Sequence, residues 1–218
     1  MIKVGIDIGN SKISCIVCDI KEDKKPIVLS FNSIPTMNID KSTFVNFTSI
    51  KKEIKELIEI SSKISETEIK SINLNVPIFE SNSSYYDSKI SIDNEAINEL
   101  HLKKAINQSE FFEEELNKKI LMNYIINYKV DGNLVSGNPI GNFAKELNLY
   151  FYKLFVSENI IKTYNNLFNE LNIEIANFVP TPLSSALATL NDDDQDLGGI
   201  CIDLGASSTS IAVFENKK

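Results

Sequence analysis

One pattern occurs twice in this chain and limits its fold more than any other feature. The segment VGIDIGNSKISCIV at 4–17 can be laid on ICIDLGASSTSIAV at 200–213 without gaps. Each reads apolar, Asp, apolar, Gly, then a small polar turn, then a second apolar run. A single D-x-G says little, because Asp and Gly populate turns everywhere. Two of them, each at the same point of a matching strand–turn–strand unit, predict a pair of hairpins of one design. Gly in such a turn lets the backbone approach an anion closely, and successive turn N–H groups form a concave anion site. Two turns facing one another would clamp a polyphosphate, with Asp7 and Asp203 at the ends of the first strands placed to hold Mg²⁺ directly or through water. The plainer alternative is two unrelated hairpins whose aspartates make only turn bonds.

Between the hairpins the spacing of apolar residues predicts a layered α/β arrangement. β-Branched runs at 2–9 and 13–20 meet at Gly9, Asn10 and Ser11, and PIVLSFNSI at 26–34 extends them to a meander. From 47 to 65, Ile50, Ile54, Leu57, Ile58 and Ser61 share one face of a helix, and SINLNVPI at 71–78 follows as a strand. A polar SNSS cluster at 81–84 marks the entry to an inserted α+β subdomain reaching Ser157. Expected within it are a strand at 85–91, a helix at 93–107 capped by Asp93, and strands at 119–130 and 147–156 flanking the loop GNLVSGNPIGN. The run FFEEELNKK at 111–119 reads as a helix end or loop with a solvated acidic face. A helix at 159–171, a strand ending at Pro180 and a small-residue helix at 182–190 lead through a solvated acidic turn, NDDDQD at 191–196, to the second hairpin.

Composition narrows the partners. The formal charge is −8 and every basic residue is Lys, so no Arg fork is present to read phosphates, and nucleic acid is an unfavoured partner. A nucleotide remains compatible, since backbone N–H groups and Mg²⁺ hold phosphates without net positive charge. The opening residues fit neither a signal peptide nor a spanning helix, and three Cys make no disulfide framework, so a reducing, cytoplasmic setting is expected. Cys15 and Cys18 form a C-x-x-C, but three residues apart on a strand they point to opposite faces. His101, the single His, lies on the expected helix with no nucleophile placed beside it by any motif. Of Tyr150, Phe151, Tyr152 and Phe155, alternation on a strand turns some inward to the core and leaves others outward.

VGIDIGNSK at 4–12 resembles the first phosphate motif of the actin, Hsp70 and sugar-kinase superfamily, and in particular its FtsA branch, where D-I-G-T-S-K is typical. IDLGASSTSIAVF at 202–214 resembles the second, and the stretch from Gly137 to Leu190 is similar to the FtsA segment that joins subdomain 1C to the connecting helix. The resemblance implies a ribonuclease-H-like actin/Hsp70 ATPase fold with an inserted SHS2-type 1C subdomain, incomplete at its C-terminus. It divides the chain into domain 1A at 1–80, 1C at 81–157, the rest of 1A with the connecting helix at 158–195, and the start of 2A at 196–218. ATP and Mg²⁺ are the implied ligands. Gly9, Asn10, Ser11 and Lys12 would contact the phosphates from one side and Gly205, Ala206, Ser207 and Ser208 from the other, while Asp7 and Asp203 would handle the metal. The implied role is a division scaffold that links FtsZ filaments to the cytoplasmic membrane face at the septum and recruits later division proteins. Subdomain 1C would serve self-association or partner docking.

The chain also departs from the family pattern. Ala206-Ser207-Ser208 replaces G-G-T after Gly205, Ser210 replaces a common Asp, and the connecting helix TPLSSALATL offers no Glu or Gln to orient an attacking water. At most a weak ATPase is expected. Three other readings share the fold or its inserted unit: a PilM-like pilus-assembly protein, a small-molecule kinase, and an interaction module working through 81–157. The kinase reading lacks a catalytic Asp, since 157–190 contains none.

Overall fold

A computed structural model describes residues 1–22, 25–40, 43–78, 81–110 and 117–215. The chain divides into two compact units, Met1–Phe79 with Ile160–Lys218, and Glu80–Asn159.

The first unit begins with strands β1 (Ile2–Ile8), β2 (Lys12–Asp19) and β3 (Ile27–Pro35), an antiparallel meander. Two short strands, β4 (Ile39–Asp40) and β5 (Thr43–Phe44), precede helix α1 (Phe47–Ser65) and strand β6 (Ser71–Val76). Strand β6 lies parallel to β1. Asn46 caps α1 by accepting from the Ser49 N–H at 3.0 Å, and Glu66 closes it in the left-handed region at φ 50°.

Alternation assigns the faces of these strands. Val4, Ile6, Ile8, Ile13, Cys15, Val17, Ile72 and Leu74 are buried against Ile50, Ile54, Leu57 and Ile58 of α1 and against Tyr164, Leu167 and Phe168 of a later helix. The opposite parity puts Asp7, Ser14, Asn73 and Asn75 on the other face, where polar side chains meet one another. Asn177 Nδ2 donates to Asn73 Oδ1 at 2.9 Å, and Ser14 Oγ donates to Ser33 Oγ at 3.3 Å. Cys15 is buried and Cys18 only half so, as expected of opposite faces, and both are free thiols.

The second unit is a four-stranded antiparallel sheet with one helix. Its elements are β7 (Asn82–Ala96), α2 (Glu99–Glu110), β8 (Lys118–Val130), β9 (Asn133–Val135) and β10 (Phe143–Ser157), with strand order β7-β10-β8-β9. Ile90, Ile92, Ile97, Ala105, Leu147, Leu149 and Phe151 form its core. Phe151 and Phe155 turn inward while Tyr150 and Tyr152 are half-buried. Lys153 is fully buried, its Nζ donating to the Ser109 carbonyl at 2.8 Å and lying 5.0 Å from the Tyr86 ring centroid.

Returning to the first unit, α3 (Glu158–Asn169) leads to β11 (Glu174–Pro180), which pairs parallel with β6 and completes the order β11-β6-β1-β2-β3. Three antiparallel strands with two parallel ones beside the first make the ribonuclease-H-like sheet of the actin-like ATPase fold. Helices α4 (Thr181–Thr189) and α5 (Asp192–Leu197) then precede β12 (Gly199–Leu204) and β13 (Thr209–Phe214), an antiparallel pair forming a sheet of its own.

Three expectations are corrected. Asp93 does not cap a helix: 93–96 stays in β7, and the cap is Asn98, whose Oδ1 accepts from the N–H groups of Leu100 and His101 at 2.9 and 3.1 Å. NDDDQD is not a bare turn but α5, held by a capping box in which the Asn191 side chain accepts from the Asp194 N–H and the Asp194 carboxylate accepts from the Asn191 N–H. Acidic residues in a first helical turn also suit the helix dipole. GNLVSGNPIGN is not wholly loop, since Asn133–Val135 pairs with β8. Residues 111–116 of the FFEEELNKK run lie outside the described residues.

Candidate functional site

Both turns close with the same bond. The Gly9 N–H donates to the Lys12 carbonyl at 3.0 Å, and the Gly205 N–H donates to the Ser208 carbonyl at 2.9 Å. Each turn is tight at its Gly. A Cβ added at Gly9 would lie 3.1 Å from the Lys12 oxygen, and one at Gly205 would lie 3.0 Å from the Ser208 oxygen, so either would crowd the closing carbonyl. Between these bonds the N–H groups of Asn10, Ser11, Ala206 and Ser207 have no acceptor among the described residues. Ser11, Lys12 and residues 205–208 are exposed. Outward N–H groups in a tight turn are what an oxyanion requires.

The first turn is braced from behind. The Thr36 N–H donates to the Ser11 carbonyl at 3.0 Å, and Glu53 of α1 accepts from Thr36 Oγ1 at 2.7 Å and Asn38 Nδ2 at 2.6 Å. The helix packed on the sheet thus holds the loop that holds the turn.

Asp7 and Asp203 come near enough to feel one another. Burial pushes the Asp7 carboxyl above the usual carboxylate range. The Asn75 hydrogen bond opposes that rise, the negative charge of Asp203 adds to it, and Lys12 lowers it again. Asn75 Nδ2 donates to Asp7 Oδ1 at 3.4 Å and Ser185 Oγ donates to Asp203 Oδ2 at 2.7 Å. Tyr164, almost wholly buried in the core beneath, has its hydroxyl pKa raised by burial first and by Asp7 second.

These features fit a phosphate-bound cation better than a protein-only metal centre. Among the described residues no cluster of three or more His, Cys, Asp or Glu could hold a metal ion, so the two carboxylates would share Mg²⁺ with phosphate and water. Open grooves of about 550 and 850 Å³ lie beside α1 and α3, lined by residues such as Phe47, Lys51, Lys55, Asn166 and Glu170, and neither touches the turns. His101 is accounted for structurally: its Nε2 lies 3.1 Å from Glu95 Oε1 and its Nδ1 accepts from the Asn98 N–H.

Asn75, Ser185, Thr36 and Glu53 were not singled out by sequence. Asn75 had a signal, an amide between the buried apolar residues Leu74 and Val76 of a strand. Ser185 had none, one hydroxyl among several in TPLSSALATL.

No family model matches the chain. Curated relatives do: the cell division protein FtsA of Neisseria meningitidis is 20% identical over 211 residues, covering 97% of this chain and 51% of the relative. FtsA of Buchnera aphidicola is 24% identical over 213 residues, covering 98% and 51%. The chain therefore spans about half the length of the curated relatives it matches. Among solved structures, a chain of a PilM-PilN type IV pilus biogenesis complex superposes with a TM-score of 0.65 at 12% identity, over 99% of this chain and 59% of that one. The ethanolamine utilization protein EutJ of Carboxydothermus hydrogenoformans gives 0.52 at 15%, over 100% and 49%. Together with the sheet order, these likenesses make this chain a protein of the actin-like ATPase fold, similar along almost its entire length to about half of the cell division protein FtsA.

Proposed function

We propose that the chain forms the phosphate-binding part of an FtsA-like division scaffold. Gly9, Asn10, Ser11 and Lys12 bind the phosphates of ATP from one side and Gly205, Ala206, Ser207 and Ser208 from the other, through turn N–H groups and, at the serines, hydroxyls. Asp7 and Asp203 hold Mg²⁺, which neutralises and orients the phosphates when bound. The observation that carries this reading is the pairing of two turns closed by one and the same hydrogen bond with two aspartates close enough to interact.

The finer role rests on similarity to FtsA. In it the whole protein links FtsZ filaments to the cytoplasmic membrane face at the septum and recruits later division proteins, with subdomain 1C at 81–157 serving self-association or docking. Among the described residues no helix is long and apolar enough to cross a membrane. The pilus likeness supports the fold, whereas the sequence similarity over 97% of the chain favours the division reading.

Calorimetric titration with ATP, with and without Mg²⁺, tests the site. Heat of binding that Mg²⁺ strengthens and that Asp7→Ala and Asp203→Ala each abolish is expected. An absence of binding under both conditions would sink the reading.

A further inference from the structure

Each aspartate of the pair has one carboxylate oxygen engaged by a neutral side chain from a different element. Ser185 on α4 donates to Asp203 Oδ2 at 2.7 Å, and Asn75 on β6 donates to Asp7 Oδ1 at 3.4 Å. The remaining oxygens, Asp203 Oδ1 and Asp7 Oδ2, accept from no donor among the described residues, and neither aspartate forms an ion pair there. Asp7 Oδ2 turns toward its own turn, 3.8 Å from where a Cβ on Gly9 would sit.

The bond from Ser185 is unusual for its helix. A helical hydroxyl ordinarily donates back to a carbonyl three or four residues earlier. Ser184 does so to the Thr181 carbonyl at 2.9 Å, and Thr189 does so to the Ser185 carbonyl at 2.8 Å. Ser185, between them, forgoes that local acceptor and crosses to β12. A hydroxyl donating to a carboxylate at this distance makes a charge-assisted bond that fixes the carboxylate's orientation. Because the donor is neutral, the full negative charge of Asp203 stays available to a cation, which a Lys at the same place would have cancelled.

We infer that Ser185 is a positioning residue for the cation that accompanies bound phosphate: its hydroxyl holds Asp203 by one oxygen so that Oδ1 is presented to Mg²⁺ and its water shell, as Asn75 does for Asp7. This rests on the nucleotide reading above. The second partner of a metal-binding carboxylate typically changes metal affinity by about 10- to 100-fold when removed.

The test is ATP titration of the full 218-residue chain and its Ser185→Ala and Ser185→Thr variants, each in Mg²⁺ and in EDTA, with far-UV circular dichroism to check folding. Ser185→Ala should weaken binding about tenfold in Mg²⁺ and leave binding in EDTA unchanged, with Ser185→Thr near the parent in both. Equal weakening in both media would mark a merely structural role and overturn the proposal, as would unchanged binding in both. Should the alanine variant not fold, Ser185→Cys decides: its weaker donor should lower binding in Mg²⁺ and not in EDTA, and binding that is parent-like in both media, or equally weakened in both, overturns the proposal. If the parent chain binds no ATP at all, the nucleotide reading fails first and this one with it. If the parent binds with Mg²⁺ preference and Ser185→Ala keeps that preference, only this inference fails.

Discussion

Burial places a carboxyl at Asp7 where its charged form is disfavoured, and the nearby charge of Asp203 deepens that cost while Asn75 and Lys12 relieve part of it. An acid whose folded pKa is raised binds its proton more tightly folded than unfolded. Its stabilising contribution is complete below the ordinary carboxylate pKa and is lost as pH climbs through the raised value. At neutral pH, without a cation, Asp7 therefore works against the fold. Asp7→Asn keeps an acceptor for Asn75 and removes the charge. In EDTA it should melt at a higher temperature than the parent at neutral pH, with the difference closing near about pH 3, below the ordinary Asp pKa. A melting-temperature gap independent of pH would show that the charge is not the cause.

Among the elements, the clamp on the loop between β3 and β4 is the most exacting. Glu53 receives two side-chain donors at 2.7 and 2.6 Å, so Glu53→Ala strands both Thr36, itself buried, and Asn38. Urea unfolding should show a loss of about 1–3 kcal/mol. Removing the α1 cap with Asn46→Ala should cost about 1 kcal/mol in the same assay.

The sequence made α1 legible because Ile50, Ile54, Leu57 and Ile58 repeat at helical spacing along one face, and it made both hairpins legible because each repeats the other. The start of α2 was not legible. Asp93 and Asn98 are both competent caps, and the choice fell to pairing, since Glu95 and Ala96 extend β7 along β10 opposite Ala144 and Phe143. The acidic run at 191–196 has the charge of a solvated turn, and it is the Asn191–Asp194 capping box that makes α5 a helix. The turn glycines and aspartates announced themselves by motif. Ser185 and Glu53 stayed hidden because they act on those residues from elements distant in sequence, which spacing cannot express.

For the whole molecule, the uneven covering of the second hairpin matters most. Its inner face meets α4, while Ile200, Ile202 and Leu204 of β12 and Ile211 and Val213 of β13 project outward, from 57% exposed at Ile211 to 78% at Leu204. Register places Ile200 opposite Val213 and Ile202 opposite Ile211, so the exposed side chains make one continuous apolar surface. Ile202→Ser with Ile211→Ser should lower binding of a hydrophobic dye such as ANS and change thermal stability little. Undiminished dye fluorescence would place the sticky surface elsewhere. The second unit, with a core drawn wholly from its own strands and helix, should fold when residues 81–157 are made alone, as dispersed amide resonances would report. The identical closure of the two turns also makes their loops interchangeable parts: a chimera carrying GNSK at 205–208 keeps the Gly N–H and the carbonyl three residues on, so its hairpin should survive. What differs between the loops, the amide of Asn10 and the ammonium of Lys12 in one against the methyl of Ala206 and the hydroxyl of Ser208 in the other, is then free to set what each grips without altering how either is built.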